Sequence, residues 1–132
     1  MTENTETTPY ELIGAEAALL NLVERFYFYM DTLPEAAEIR AMHAADLSGA
    51  SAKLFKFLSG WMGGPNLFIE EYGHPMLRQR HFPFAINEAA RDQWMLCMNK
   101  AIDEMTLLDA DFKENLSQVL QQLATHMINR DN

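Results

Sequence analysis

Apolar residues recur every three or four positions along most of the chain, and nowhere do they alternate with polar ones over a useful length. That is the period of a helix rather than of a strand, so the expected fold class is all-α. The first helix opens at "TPYE", where Thr8 stands as N-cap, Pro9 fits the first helical position and Glu11 completes a capping box. Gly14 marks a break. Beyond it Leu19, Val23, Phe26, Tyr27 and Met30 predict a second helix that runs until Pro34. A third, capped by Asp46 or Ser48, turns Leu47, Ala50, Ser51, Leu54, Phe57, Leu58 and Trp61 inward, and "GGP" at 63–65 stops it. From Gly63 to Gly73 the chain reads as one long irregular connection. Gly73, His74 and Pro75 then begin a helix of about two turns, and Pro83 disfavours its continuation past His81. Two long helices follow. Asn87 precedes one, with Ala90, Trp94, Cys97, Met98, Ala101, Ile102 and Met105 inward; Asp109 caps the other, with Phe112, Leu116, Val119, Leu120, Leu123 and Met127 inward.

Composition narrows the picture. A length of 132 residues with 48% hydrophobic positions suits a single domain over 1–132 and is too short for two. A net charge of −9 repels phosphate backbones, and only Arg78 and Arg80 begin a basic patch, so nucleic acid is not an expected partner. Apolar runs such as "ALLNLVERFYFYM" are broken by charge and fall short of the roughly 18 residues of a membrane span. The polar start "MTENTETTPYE" lacks the order of a signal peptide, so a cytoplasmic location is expected. Cys97 is the single cysteine, which leaves no intrachain disulfide, no CxxC zinc knuckle and no CxxCH attachment for haem.

The chemistry concentrates in "HPMLRQRHFPF", residues 74–84. Two helical histidines share a zinc ion when they stand at i and i+4, whereas His74 and His81 would be separated by a rise of roughly 10.5 Å. A di-iron carboxylate site asks for a pair of Glu-x-x-His motifs, and the chain has no such pair. A metal at His81 would therefore be one that needs a single protein ligand, as haem iron does, because the porphyrin supplies the other nitrogens. In that case the Leu77 carbonyl accepts the Nδ1–H of His81 and aims Nε2 at the iron, Arg80 meets a propionate, and Phe82, Phe84 and Ile86 wall the macrocycle. Residue types alone leave a second reading open: His81 is an ordinary exposed or hydrogen-bonded histidine, and the aromatic and methionine surfaces belong to a haem-free helical interaction module. His74 and His126 read as structural or exposed.

The segment "GGPNLFIEEYGHPMLRQRHFPF" followed by "DQWMLCM" closely resembles the group II truncated haemoglobins, and the resemblance extends from "PYELIGAEAALLNLVERFYFYM" to "ATHMINR". It implies a shortened globin of two antiparallel helix pairs around non-covalent haem b, with His81 as the proximal ligand. It also implies that Tyr27 and Trp94 face a bound gas. His43 stands where members usually carry tyrosine or phenylalanine, Ala50 where ordinary globins have a distal histidine, and Leu54 where several members have glutamine. Leu54, Phe57, Leu77 and Met98 are then expected against the haem. O2, CO, NO or peroxide are the implied ligands. A pocket with several donors to a charge-gathering ligand favours slow release, and so redox chemistry of nitric oxide or peroxide over simple carriage. Dioxygenase or peroxidase-like turnover would need a separate reductase, since this chain has no flavin or nicotinamide domain. His43 and Tyr27 are also candidate sixth ligands to the iron.

Overall fold

A computed structural model describes residues 7–81 and 83–129. The opening signal works as the sequence suggests: Thr8 Oγ1 accepts the Glu11 N–H at 3.2 Å, and the Glu11 carboxylate accepts the Thr8 N–H at 3.3 Å. Helix α1 (Pro9–Ile13) ends at Gly14, whose φ of 118° is left-handed, and α2 (Ala15–Thr32) starts at once. Helix α1 is tied down by Tyr10, whose N–H donates to the Met62 carbonyl at 2.9 Å. The Tyr10 ring lies so close over Gly64 that a Cβ there would fall 2.6 Å from it, so this contact requires glycine.

The chain then forms a 3-10 turn (Pro34–Ala36), α3 (Ala37–Ala41), α4 (Ser48–Trp61), α5 (Leu67–Tyr72), α6 (Leu77–Arg80), α7 (Glu88–Asp103) and α8 (Ala110–His126). No strand occurs among the described residues. Asn87 and Asp109 cap α7 and α8 by accepting from the N–H groups of Ala90 at 2.9 Å and Phe112 at 2.7 Å. At α4 neither expected cap, Asp46 or Ser48, holds the position: Leu47 occupies it without a side-chain cap bond, and Asp46 accepts the Ser48 N–H at 2.9 Å.

Four short elements depart from the sequence reading. Pro34 does more than end α2, because at a first helical position it also starts the 3-10 turn, and the burial of Ala36 and Ile39 sustains that turn and α3. The stretch from Gly63 to Gly73, expected to be irregular, contains α5. Its sequence carries no side-chain cap, and the helix stands on the burial of Phe68 and its packing against α4. The helix before His81 has one turn instead of two, because Met76 takes a φ of 46° and α6 can begin only after it.

The core forms where α2 packs on α7 and α4 and where α7 packs on α8. Leu19, Leu22 and Phe26 of α2, Leu58 of α4, Cys97, Met98 and Ile102 of α7, and Leu120 of α8 are fully buried in it. On α7, Met95 is buried where Trp94 is only partly so, and Met105, expected on the inner face, lies beyond the helix end and is half-buried. Arg25 of α2 grips the Glu104 carboxylate at the end of α7 through Nε and Nη2 at 2.7 and 3.0 Å, and the Tyr29 hydroxyl donates to the same group. The Arg25 hydrogen bond, then that of Tyr29, holds Glu104 below the usual carboxylate range.

The inward face of α4 divides. Phe55, Leu58 and Ser59 are buried, whereas Ala50, Leu54 and Phe57 stay half-buried and Trp61 is exposed. Half of an apolar helix surface is thus left without a full complement of neighbours. Leu58→Ala should destabilise the fold by about 2–5 kcal/mol in urea unfolding, and Leu107→Ala, at a residue 99% exposed, by less than about 0.5 kcal/mol.

Candidate functional site

His81 follows α6 directly. Its N–H donates to the Leu77 carbonyl at 3.1 Å, and its Nδ1 lies 2.7 Å from that same oxygen. A carbonyl only accepts, so the proton sits on Nδ1 and Nε2 carries a lone pair. Among the described residues Nε2 has no hydrogen-bond partner. The Phe84 ring lies 6.5 Å away and is 41% exposed, and Leu77 and Ile86 are half-buried. Phe82 lies outside the described residues.

A second cluster gathers groups from α2, the turn after α3, α4 and α7. Tyr27 of α2 is 8% exposed and packs edge-on to Phe26 at 4.8 Å and to His43 at 5.9 Å. Phe26 also touches Trp94 of α7, with ring centroids 5.0 Å apart. The Tyr27 hydroxyl donates to the Ala50 carbonyl of α4 over a long 3.4 Å. Tyr27, His43, Ala50 and Trp94, named separately from sequence, are therefore brought together. Burial pushes the Tyr27 phenol well above its ordinary range, so at neutral pH it remains a donor.

His43 has a constraint that sequence does not disclose. Its Nδ1 lies 2.8 Å from the Ile39 carbonyl, so the neutral ring again keeps its proton on Nδ1. The Nε2 of neutral His43 accepts and does not donate. Tyr27 and Trp94 are thus the neutral donors of this cluster, and with its Nδ1 proton committed to Ile39, His43 donates through Nε2 only as an imidazolium.

Arg80 is held within its own loop. Its guanidinium donates to the carbonyls of Pro75, Tyr72 (3.4 Å) and His74 (3.3 Å) and sits 5.3 Å over the Phe68 ring, bracing the α5–α6 turn. A cation that the sequence does not single out is Lys53. It stands between Ala50 and Phe57 on α4, with its ammonium 5.6 Å from the Tyr72 ring, and makes no ion pair among the described residues. Lys56 shares Tyr72 at 5.8 Å but is paired with Glu71. The available signal for Lys53 was its spacing of three and four residues from the apolar stripe.

Other groups are poor ligands. Glu71 and His74 have Glu-x-x-His spacing, yet no set of three His, Cys, Asp or Glu side chains among the described residues is arranged to hold a metal. Cys97 is fully buried and its thiol is pushed up to about 11, chiefly by burial, so it is not a thiolate at neutral pH. Met98, expected at the cofactor, is fully buried in the core. A cavity of about 200 Å³ between α4 and α5, lined by Phe57, Trp61, Phe68 and Ile69 among others, lies apart from His81. One imidazole lone pair, half-buried apolar walls, two neutral donors and a lysine at the rim fit a flat apolar group that brings its own metal and carboxylates.

Known proteins give the same picture. The family model for bacterial-like globins matches residues 8–129. Group 2 truncated hemoglobin YjbI of Bacillus subtilis (strain 168) is 39% identical over 122 residues, which are 92% of this chain and 89% of that protein. The cold-adapted truncated hemoglobin of Pseudoalteromonas haloplanktis TAC125 superposes with a TM-score of 0.90 at 48% identity, covering 94% of this chain and 99% of that one. The group II 2-on-2 hemoglobin of Agrobacterium tumefaciens gives 0.90 at 46% identity, covering 98% and 99%. No helix among the described residues is long and apolar enough to cross a membrane. By fold, by site and by these likenesses, the chain belongs to the bacterial-like globins, as one of their group II truncated, 2-on-2 haemoglobins, a family that binds haem.

Proposed function

We propose that this chain holds haem b through His81 Nε2 and binds O2 and related diatomic ligands on the opposite side, beneath Tyr27 and Trp94. The observation that carries the reading is the Nδ1–H bond from His81 to Leu77, which leaves a fixed base beside apolar walls that their own protein neighbours only half cover. Haem, when bound, supplies an iron that accepts a small ligand and exchanges electrons with it. The remaining work belongs to the chain. Ala50, Leu54 and Phe57 of α4 and Leu77, Phe84 and Ile86 near His81 exclude water from the macrocycle. Lys53 meets a propionate at the rim.

Tyr27 and Trp94 act on the ligand. A diatomic that gathers negative charge would gain from the indole N–H and from the phenol O–H once it turns away from its long bond to the Ala50 carbonyl, and hydrogen bonds to a charged partner contribute about 1.5–3 kcal/mol each. One such bond slows release by about ten- to a hundredfold. Slow release is unsuited to carriage and suited to conversion of nitric oxide or peroxide, with electrons from a separate reductase. Ala50 places only a methyl group where a bulky gate could stand, which leaves a short route for small molecules past α4. The lone pair of neutral His43 makes it a sixth-ligand candidate when no gas is bound.

His81→Ala is expected to lose stable hemin binding, read as loss of the Soret band after gel filtration, while far-ultraviolet circular dichroism keeps most of its helical signal. Unchanged hemin retention would remove the ligand assignment, and a wild-type chain that takes up no added hemin would favour the haem-free module. Tyr27→Phe and Trp94→Phe should each accelerate O2 dissociation about tenfold or more in stopped-flow replacement by CO. His43→Leu should change that rate far less than either, and an acceleration equal to that of Tyr27→Phe would assign His43 a donor role after all.

A further inference from the structure

We propose that Asn129 is a positioning residue for the proximal histidine, clasping the segment 81–86 from the far end of the chain. This rests on the assignment of His81 as the haem ligand. Asn129 lies just past the end of α8 and makes three hydrogen bonds to that segment. Its N–H donates to the Ile86 carbonyl at 2.8 Å, its side-chain Oδ1 accepts the Ile86 N–H at 3.0 Å, and its Nδ2 donates to the His81 carbonyl at 3.0 Å.

The need for such a clasp follows from the shortness of α6. Four residues form a single helical turn, which does not hold itself in water. Leu77 fixes the imidazole ring, but the ring and its acceptor belong to the same turn and would move together. Asn129 ties the other end of the histidine, its carbonyl, to the helix that packs on α7. The residue type suits the task. An amide offers a donor and an acceptor on one short arm, so it closes on a carbonyl and an N–H at once. Aspartate accepts from Ile86 but cannot donate to His81, leucine of similar size does neither, and glutamine carries both groups one methylene too far.

The test uses the full-length, haem-loaded protein and the variants Asn129→Asp, Asn129→Leu and Asn129→Gln. Hemin loss to an excess of a tighter-binding apoglobin should accelerate about tenfold in the aspartate and leucine variants, as expected for losing one or two hydrogen bonds at the ligand's anchor. Glutamine should fall between them and the wild type. The iron–histidine stretching band of the ferrous form should broaden or move in step. In the haem-free chain, amide hydrogen exchange should quicken over 81–86 while α2 and α7 keep their protection. Hemin loss and the stretching band unchanged from wild type, with His81 still the ligand, would overturn this proposal alone. Exchange quickened equally in every helix would also overturn it, by making Asn129 a general stabiliser. A wild type that binds haem without His81 would overturn it together with the reading on which it stands.

Discussion

One hydrogen bond, from the Nδ1–H of His81 to the carbonyl one turn back at Leu77, is the constraint on which the proposed haem site depends. It settles the tautomer and orients the ring, and it turns the second nitrogen into a base with nothing among the described residues to use it. Helix α4 carries a half-buried apolar stripe, and Phe26 joins the Tyr27 ring of α2 to the Trp94 ring of α7; in the proposed reading these surfaces face the bound haem.

The division of α4 shows how function shapes packing. A helix that served only the core would bury its whole apolar face, and here Leu58 and Phe55 do so while Ala50, Leu54 and Phe57 remain half-covered. Fully burying such a side chain contributes about 1.5–3 kcal/mol, so a flat apolar cofactor seated on the stripe, as proposed, would couple its own binding to the stability of the fold.

Much of this was legible in the residues. Thr8 with Glu11, Asn87 and Asp109 announce three helix starts, because a cap is a local contact between residues three apart. Tyr27, Trp94 and Ala50 fall on helix positions whose spacing and family likeness point the same way. What sequence could not disclose is set by backbone over distance. Helix α5 stands on the burial of Phe68 against α4, and α6 loses its first turn to the φ of 46° at Met76. Arg80 turns to carbonyls of its own loop, and His43 gives its proton to Ile39, both decided by where main-chain oxygens end up. Asn129 meets the segment after His81 across more than forty residues of sequence, a contact that no local pattern encodes.

The most direct measurement of the central claim is resonance Raman spectroscopy of the ferrous protein, in wild type and in His81→Gly with and without added imidazole. An iron–histidine stretch present in wild type, absent in the glycine variant and restored by free imidazole is the predicted result. A band that survives in His81→Gly without imidazole would show the iron held by another side chain and contradict the account.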